Sequence, residues 1–419
     1  MHEIYWKTKL QKLVFLVFFY VSILWPNDDT YVLMVSFDGF RHDYADRVST
    51  PNFDRFAQEG TKSEGLIPIF PSLTFPNHYS IATGSYSGTH NITGNSFYDK
   101  EMGEKYNFRD KNTVRNSKFY KSEPIWVTAE RQGVKSASFY WVGSEAPIKG
   151  YSPSIFKHYD GSVPFRSRID SVISWFQLPQ EKRPRLIMLY FSEPDYAGHD
   201  LGASHSSISS VISEMDSLLG YLMKELRKLH FFSKLNIILL SDHGMTNVSS
   251  ERIIILDDYI SHLDEYVMDG IGSHVQFDLI KFADEHIQKF QDELSNIPHS
   301  QFWSKADIPL RFHFNNANTG DYLLLADEGW FITTKLKLEK NEFLLGGMHG
   351  YDPYLPSMHG IFYAFGINIR SGMQIPKFEN IHIYPIICRL LGISPYGNEK
   401  DGPAGDGKIL EPMLINIEK

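Results

Sequence analysis

Cysteine is almost missing from this chain of 419 residues. The single cysteine, Cys388, cannot form a disulfide bond within the chain. A disulfide-stabilised scaffold of the kind common in small secreted domains is therefore excluded. The fold must depend on an apolar core, and a composition of 42% hydrophobic and 14% aromatic residues is rich enough to supply one and too rich for a disordered chain.

An excess of positive charge is also missing. The formal net charge is −9 at pH 7, whereas proteins that coat nucleic acid normally present a basic stripe to the phosphate backbone. The composition therefore argues against a nucleic-acid-coating surface. A small anionic ligand needs only a local positive field, such as that of metal dications, so the acidic chain can still bind one.

The N-terminal apolar run is too short for a typical membrane-spanning helix. Thirteen residues, 13–25, follow Lys7, Lys9 and Lys12, and a spanning helix takes roughly 20. This pattern is typical of a signal peptide, and we expect residues 1–26 to direct export to the periplasm or secretion. No small-x-small cleavage motif follows, so an uncleaved signal anchor, with membrane attachment only through residues 7–25, remains an alternative.

Three apolar runs have the length and β-branched content of buried parallel strands: residues 31–37, 186–191 and 235–241. In an open α/β sheet, ligands gather beyond the carboxyl ends of the strands. Each run is followed within a few residues by carboxylate or imidazole side chains, namely Asp38, Asp195 with His199, and Asp242 with His243. With Thr74 and His349 they form a set of seven candidate ligands whose donor atoms suit zinc.

Longer motifs surround these residues. They are residues 36–39 (Ser-Phe-Asp-Gly), 74–79 (Thr-Phe-Pro-Asn-His-Tyr), 93–99, 193–199, 241–245 (Ser-Asp-His-Gly-Met) and 349–352 (His-Gly-Tyr-Asp). In this order and content the chain resembles the nucleotide pyrophosphatase/phosphodiesterase family of the alkaline phosphatase superfamily. The resemblance covers nearly all of the chain after residue 31. Because secreted vertebrate members are expected to be rich in disulfides, we favour a bacterial-type, single-domain member.

The resemblance implies a role for each matching residue. One zinc ion is implied at Asp38, Thr74, Asp242 and His243, and a second at Asp195, His199 and His349. Thr74 matches the nucleophile that forms a covalent phospho-enzyme intermediate. Asn95 matches the side-chain amide that holds an oxygen of the transferring phosphoryl group.

Two of these assignments have an alternative. Met348-His349-Gly350 and Met358-His359-Gly360 are near copies; we assign the metal to His349, because it lies in the His-Gly-Tyr-Asp motif, and expect His359 to be structural. Thr74 has the alternative role of a helix cap, since threonine commonly caps the helix that it precedes.

The substrate pocket is inferred from aromatic residues. In nucleotide-cleaving relatives, the residues that match Phe75 and Tyr159 sandwich the base, a form of stacking that tolerates different bases. Tyr190, five residues before Asp195, is a candidate for completing the wall. The opposing interpretation is a general apolar cleft, because 23 tyrosines and 30 phenylalanines make aromatic residues common everywhere in the chain.

We expect an α/β fold: an alkaline-phosphatase-like α/β/α sandwich whose mostly parallel central sheet is flanked by helices. One helix is predicted from Pro51, with Thr50 as N-cap and Gly60 beyond its end. Others are predicted at residues 80–84 behind Thr74, at residues 206–229 and at residues 381–391. One catalytic domain is expected at residues 27–419, with a smaller inserted lobe at about 250–345.

The leading functional hypothesis is a zinc-dependent phosphodiesterase or nucleotide pyrophosphatase that releases nucleoside 5′-monophosphates. One alternative keeps the metals but changes the substrate to a choline phosphodiester or a lysophospholipid. A second alternative is a secreted binding protein with an inactive site, against which stands the full set of seven ligands. Leu73 occupies the position at which several vertebrate members have lysine.

Overall fold

The structure is a computed structural model that describes residues 30–279, 284–340, 346–397 and 402–415. The predicted signal peptide or anchor lies outside the described residues. Within these ranges, no helix is long and apolar enough to cross a membrane.

The secondary structure alternates short strands and helices along most of the chain. The strands are β1 Tyr31–Phe37, β2 Thr61–Ser63, β3 Leu66–Ile67, β4 Ser96–Asp99, β5 Glu104–Asn107, β6 Ser136–Phe139, β7 Ile155–Lys157, β8 Leu186–Phe191, β9 Leu235–Leu240, β10 Thr246–Asn247, β11 Ile253–Ile255, β12 Tyr266–Asp269, β13 His274–Leu279, β14 Ser300–Ser304, β15 Tyr322–Ala326, β16 Phe331–Thr333, β17 Gly347–Met348, β18 Phe362–Gly366, β19 Met373–Ile375 and β20 Phe378–Glu379. The α-helices are α1 Pro51–Glu59, α2 Thr74–Thr83, α3 Ser87–His90, α4 Lys111–Val114, α5 Ile125–Arg131, α6 Phe165–Phe176, α7 Asp195–Leu201, α8 Ile208–Leu226, α9 Asp284–Ser295, α10 Lys335–Glu339 and α11 Ile383–Leu391.

The central sheet has eight strands in the order β19-β2-β18-β9-β1-β8-β6-β7. The three strands predicted from the apolar runs lie side by side at its centre, with β1 parallel to both β8 and β9. Strand β18 runs antiparallel to β9 and to β2, so the sheet is mixed although most of its pairings are parallel.

Helices cover both faces of this sheet. Alternate residues of β1 point to opposite sides, as the period of a strand requires. Val32 and Met34 join one core with helices α2, α5 and α11, whereas Leu33 and Val35 join the other core with helices α1, α6 and α8. The predicted α/β/α sandwich is confirmed.

The predicted helices are present, with shifted ends. Helix α1 begins at Pro51 as predicted, but the Thr50 hydroxyl donates to the carbonyl of Ala45 rather than capping the helix. Helix α8 is shorter than the predicted 206–229, and residues 380–382 form a 3-10 turn before α11. Apolar periodicity gives the helical face correctly but does not specify where the terminal turns tighten.

A second sheet lies within the region that the sequence analysis assigns to an inserted lobe. Strands β12, β13, β15 and β14 form an antiparallel sheet in that order. Phe290 and Leu294 of α9 pack with Phe277 and Leu324 in the core of this second sheet. The chain then returns through β17, which pairs with β10, and this return places His349 beside the end of the central sheet.

Candidate active site

The three central strands bring three aspartates to one edge of the sheet. Asp38 directly follows β1, Asp242 follows β9, and Asp195 begins helix α7 beyond β8. The backbone amide of Asp195 donates to the carbonyl of Asp38 over 3.0 Å, which fixes the start of α7 against β1. Gly39 allows this approach, because a Cβ at that position would lie 2.8 Å from the Asp195 Cα.

The first group of candidate ligands consists of Asp38, Asp242 and His243, all buried. His243 Nε2 lies 3.4 Å from Asp38 Oδ1 and 3.2 Å from Asp242 Oδ2. The Thr74 hydroxyl oxygen lies 3.2 Å from the same Nε2 atom. Four of the predicted ligands therefore meet at one point.

The second group consists of Asp195, His199 and His349. Asp195 Oδ1 lies 3.6 Å from the Nε2 atoms of both His199 and His349. The His349 ring stacks on that of His243 at 3.6 Å between centroids, so the two groups are in contact.

All three histidines turn the same nitrogen toward the cluster. Their Nδ1–H groups donate to backbone carbonyls, His199 to Gly347, His243 to Gly244 and His349 to Ser72. A carbonyl only accepts, so Nδ1 carries the proton and Nε2 of the neutral ring keeps a free lone pair. A backbone carbonyl on the other ring nitrogen is the usual partner of a metal-binding histidine.

Several buried acceptor atoms of the two groups have no hydrogen-bond donor facing them in the described part of the chain. His199 Nε2 and His349 Nε2 lie 3.1 Å apart although both are acceptors. Within the described residues, no hydrogen-bond donor reaches Asp38 Oδ1 or Asp195 Oδ1, which are both buried. Such atoms are costly to leave unpaired, and a cation among them satisfies all of them at once. The residues present therefore fit two metal ions.

Burial is the largest cause of the pKa shifts of Asp38, Asp195 and His349. Burial raises the pKa of Asp38 well above 3.8, and the charges of Asp242 and Asp195 raise it further. Burial also raises the pKa of Asp195. Burial and the neighbouring His243 and His199 hold the pKa of His349 well below 6.5. Asp242 differs: burial acts to raise its pKa, but the neighbouring His243 and His78 lower it below its usual value. A divalent cation would offset the buried carboxylate charge of the cluster.

Thr74 and Asn95 lie on the helix side of the cluster. Thr74 is the first residue of α2, and Leu73 holds the cap position, so a capping role for Thr74 is wrong. The N-terminus of α2 presents backbone N–H groups and a partial positive charge, which favour an anion there. Asn95 Oδ1 accepts from the Phe75 amide over 3.0 Å, and in the described part of the chain its Nδ2 group has no other partner.

The two copies of the Met-His-Gly motif lie in different surroundings. His349 lies in the second ligand group, whereas His359 lies beside His42, with 5.9 Å between ring centroids. The His359 ring is buried, and it is not part of either ligand group.

Tyr190 occupies a different position from the one that the sequence suggests. Its hydroxyl donates to Asp38 Oδ2 over 2.5 Å, and its ring is buried against His78 at 5.3 Å between centroids. The side chain thus supports a candidate ligand from within the sheet and contributes little to an open wall.

His78 was missed as a site residue by the sequence analysis. Its Nδ1 lies 3.0 Å from the Thr74 carbonyl and 3.2 Å from Asp242 Oδ2, and its Nε2 lies 2.8 Å from the Ser36 hydroxyl. The available signal was its spacing, because His78 follows Thr74 by four residues and therefore lies on the same face of α2.

The two aromatic residues proposed to hold a base are accessible. Phe75 is partly buried and packs edge-on to Phe108 at 5.5 Å between centroids. Tyr159 is 41% exposed, its amide donates to Glu145, and its ring lies 5.1 Å from that of Tyr140.

The chain is similar in sequence to enzymes that are named for the hydrolysis of phosphodiesters or nucleotides. The chain is 34% identical to venom phosphodiesterase from Naja atra over 379 residues, which cover 88% of this chain but only 45% of that enzyme. It is 34% identical over 389 residues to the bis(5′-adenosyl)-triphosphatase of Xenopus laevis, covering 90% of this chain and 81% of that protein. The chain thus spans less than half the length of the venom enzyme.

A solved structure shares the fold over nearly the whole chain. It is an inactive threonine-to-alanine variant of murine ectonucleotide pyrophosphatase/phosphodiesterase 5 in complex with AMP, with a TM-score of 0.85, 32% identity, and coverage of 92% of this chain and 100% of that chain. The sequence profile of type I phosphodiesterases and nucleotide pyrophosphatases matches residues 32–352. The protein belongs to the type I phosphodiesterase/nucleotide pyrophosphatase family.

Proposed function

We propose that the protein is a zinc-dependent phosphodiesterase that cleaves phosphodiester or pyrophosphate bonds of nucleotides and releases nucleoside 5′-monophosphates. One observation carries the proposal: a threonine hydroxyl at a helix N-terminus lies 3.2 Å from a ligand histidine of one metal-type cluster, and a second cluster is in contact with the first. A hydroxyl, two cation sites and an anion-favouring helix end are the parts that phosphoryl transfer needs.

The donor set supports zinc at both positions. Asp38, Thr74, Asp242 and His243 would hold one ion, and Asp195, His199 and His349 the other. Three carboxylates and three imidazoles are typical zinc ligands. The second set has only three protein ligands, so a zinc ion held there would keep a coordination position for water or substrate. Bound zinc would supply Lewis-acid chemistry, polarising phosphoryl oxygens and favouring the ionised form of a hydroxyl.

The protein's own groups define the rest of the reaction. The Thr74 hydroxyl gives up its proton to solvent, and Oγ1 forms a bond to the phosphorus. The bond to the opposite ester oxygen breaks, that half of the substrate leaves with a proton from solvent, and a phospho-threonine that still carries the nucleoside remains. The free Nδ2 group of Asn95 donates to a non-bridging oxygen as negative charge develops on it. The N-terminal N–H groups of α2 add a positive field at the same place. Water then attacks the phosphorus and the Oγ1–P bond breaks; the water hydroxyl stays on the released nucleoside 5′-monophosphate, and its other proton restores the Thr74 hydroxyl.

A diester is the expected substrate because of the chemistry around Thr74. Its neighbours Leu73, Phe75 and Pro76 offer apolar surface and no cation. A monoester presents an additional negative charge, which monoesterases of this superfamily commonly meet with an arginine or a further metal. A diester presents one charge fewer and a second organic group, which Phe75 and Tyr159 can receive.

A nucleoside is the organic group that we favour. Phe75 and Tyr159 are accessible aromatic side chains, and bases stack on such rings with little regard to base identity. The murine relative was solved with AMP, and the Xenopus relative is named for a dinucleoside triphosphate. Relatives named as venom enzymes and ectonucleotidases also support a site of action outside the cytoplasm.

The test is a comparison of two esters with the same leaving group, p-nitrophenyl thymidine 5′-monophosphate and p-nitrophenyl phosphate. We expect kcat/KM for the thymidine ester to be higher by at least roughly a hundredfold, or about 2.7 kcal/mol of transition-state stabilisation. Phe75→Ala should reduce this difference by acting on the thymidine ester alone. Equal efficiency on the two esters would contradict a diesterase, and preference for p-nitrophenyl-phosphocholine would indicate a choline phosphodiester substrate instead.

A further inference from the structure

Tyr196 is an exposed aromatic residue directly beside the candidate metal centre. It follows the ligand Asp195 in the first turn of α7, and 53% of its surface is accessible. Single exposed aromatic residues are common on protein surfaces, so the significance of Tyr196 depends on its neighbours. Its ring is exposed and next to a candidate metal ligand, so it is available to contact a substrate bound at this centre.

A hydroxyl contact joins Tyr196 to the proposed base-stacking residue. The hydroxyl oxygens of Tyr159 and Tyr196 lie 3.3 Å apart, within hydrogen-bond distance, although the residues are 37 positions apart in sequence. The first ring is carried by the loop after β7, and the second by helix α7. The contact therefore connects the aromatic surface with the element that carries a metal ligand.

The loop that carries Tyr159 is fixed by hydrogen bonds from Arg168. Arg168 is completely buried, and its guanidinium donates to the carbonyls of Val163 and Tyr190, which ties the loop to the end of β8. The guanidinium carbon lies 5.0 Å from the centroid of the Tyr140 ring, on which the Tyr159 ring packs. The Tyr159 amide is fixed by Glu145.

The exposed rings of Tyr159 and Tyr196 therefore form an aromatic surface that is fixed before a ligand binds. Rings that are already held in place lose little conformational entropy when a ligand stacks on them. The surface runs from Tyr159 to Tyr196, and it therefore joins the proposed base-binding residue to the helix that carries the candidate ligand Asp195.

We propose that Tyr196 is a specificity-determining residue, which together with Tyr159 forms a hydroxyl-bridged surface for the nucleoside part of the substrate. The inference rests on the proposed function, since it needs a nucleotide ester to be bound at this centre. Its consequence is selective: loss of the Tyr196 ring weakens reaction of nucleotide esters and leaves small diesters unaffected.

The experiment compares two diesters that share the leaving group, p-nitrophenyl thymidine 5′-monophosphate and methyl p-nitrophenyl phosphate, in the zinc-loaded full chain. Tyr196→Ala should lower kcat/KM for the thymidine ester by about tenfold, the order of one base–aromatic contact. It should change kcat/KM for the methyl ester by less than about twofold. The control is Tyr259→Ala, which removes another exposed tyrosine, directly after the 3-10 turn Leu256–Asp258, and should change neither.

The hydroxyl bridge is tested by a double-mutant cycle. Tyr196→Phe and Tyr159→Phe each remove one hydroxyl and should each lower kcat/KM for the thymidine ester by about two- to threefold, the order of one long hydrogen bond. The double variant should be no worse than either single variant, because both changes break the same contact.

The outcomes separate this inference from the proposed function. If the wild-type protein prefers the thymidine ester and Tyr196→Ala keeps that preference, the role of Tyr196 is wrong and the function stands. If the wild-type protein shows no preference, nucleotide specificity itself is wrong. Equal loss on both esters, together with less bound zinc, would mean that Tyr196 only supports Asp195, and this also overturns the inference.

Discussion

Tyr190→Phe is the most informative single substitution, because it separates two roles for this residue. The sequence suggests a ring in the substrate wall, and phenylalanine keeps that ring. The structure instead has the Tyr190 hydroxyl donating to Asp38 Oδ2 over 2.5 Å, with both groups buried. If the hydroxyl orients Asp38 as a metal ligand, its removal should weaken zinc binding while the shape of the pocket stays the same.

The expected magnitude follows from that hydrogen bond. A bond to a charged group contributes about 1.5–3 kcal/mol when one partner is removed and the other stays buried. Loss of a group that orients a metal ligand typically costs about 10–100-fold in metal affinity, or about 1.4–2.7 kcal/mol, and the two ranges agree. We therefore expect the tighter-bound zinc to weaken by about 10–100-fold.

The pH dependence of zinc binding should change in a defined direction. The Tyr190 hydroxyl lowers the pKa of Asp38, against burial and the charges of Asp242 and Asp195, which raise it. Without that hydroxyl the pKa of Asp38 rises further, so protons compete with zinc at a higher pH. The variant should lose zinc at a higher pH than the wild-type protein as the solution is acidified.

The assay is competition with a chromophoric zinc chelator, measured from pH 5 to pH 8, together with kcat/KM on the thymidine ester. Tyr120→Phe is the matched control, because Tyr120 is also buried and donates to a backbone carbonyl, that of Val114, over 2.8 Å. The Tyr120 hydroxyl also lies 3.0 Å from that of Tyr106, so its removal should lower the free energy of unfolding while zinc affinity stays unchanged. Unaltered zinc affinity in Tyr190→Phe, with a raised KM for the thymidine ester, would refute the reasoning and restore Tyr190 to the substrate wall.

Three further predictions concern the centre and the core. Chelation should abolish activity, and zinc should restore it with about two ions bound per chain; His349→Ala should abolish this recovery and His359→Ala should not, and the reverse order would mean that the wrong copy of the motif was assigned. Thr74→Ala should lower kcat by several orders of magnitude while zinc content is largely kept, and Thr74→Ser should retain part of the activity, so a fully active alanine variant would exclude covalent catalysis. Burial raises the pKa of the Cys388 thiol to about 12, so a thiol reagent at pH 8 should modify it only after denaturation, and rapid labelling of the native protein would contradict the buried position.

The central sheet was predictable because its strands are buried on both faces. Such strands appear as continuous apolar runs, and the runs at 31–37, 186–191 and 235–241 correspond to β1, β8 and β9 within one residue. The direction of a strand is not encoded in its apolar pattern. The antiparallel β18 and the second sheet, whose outer strands β12 and β14 are short and partly exposed, therefore required the structure.

The candidate site shows the same contrast. Some of its residues can be identified because they follow a strand, and others only from their neighbours in the structure. Asp38, Asp195 and Asp242 could be found because a carboxylate after a buried strand has no role in packing. Tyr190 could not be placed by its spacing from Asp195, because it is still within β8, where the register with β1 puts it opposite Ser36 and beneath Asp38. Tyr196 is one tyrosine among 23 in the sequence, and it becomes informative only through its contact with Tyr159. The candidate ligands are thus indicated by local sequence, whereas the groups in contact with them depend on which strands and loops the fold places next to each other.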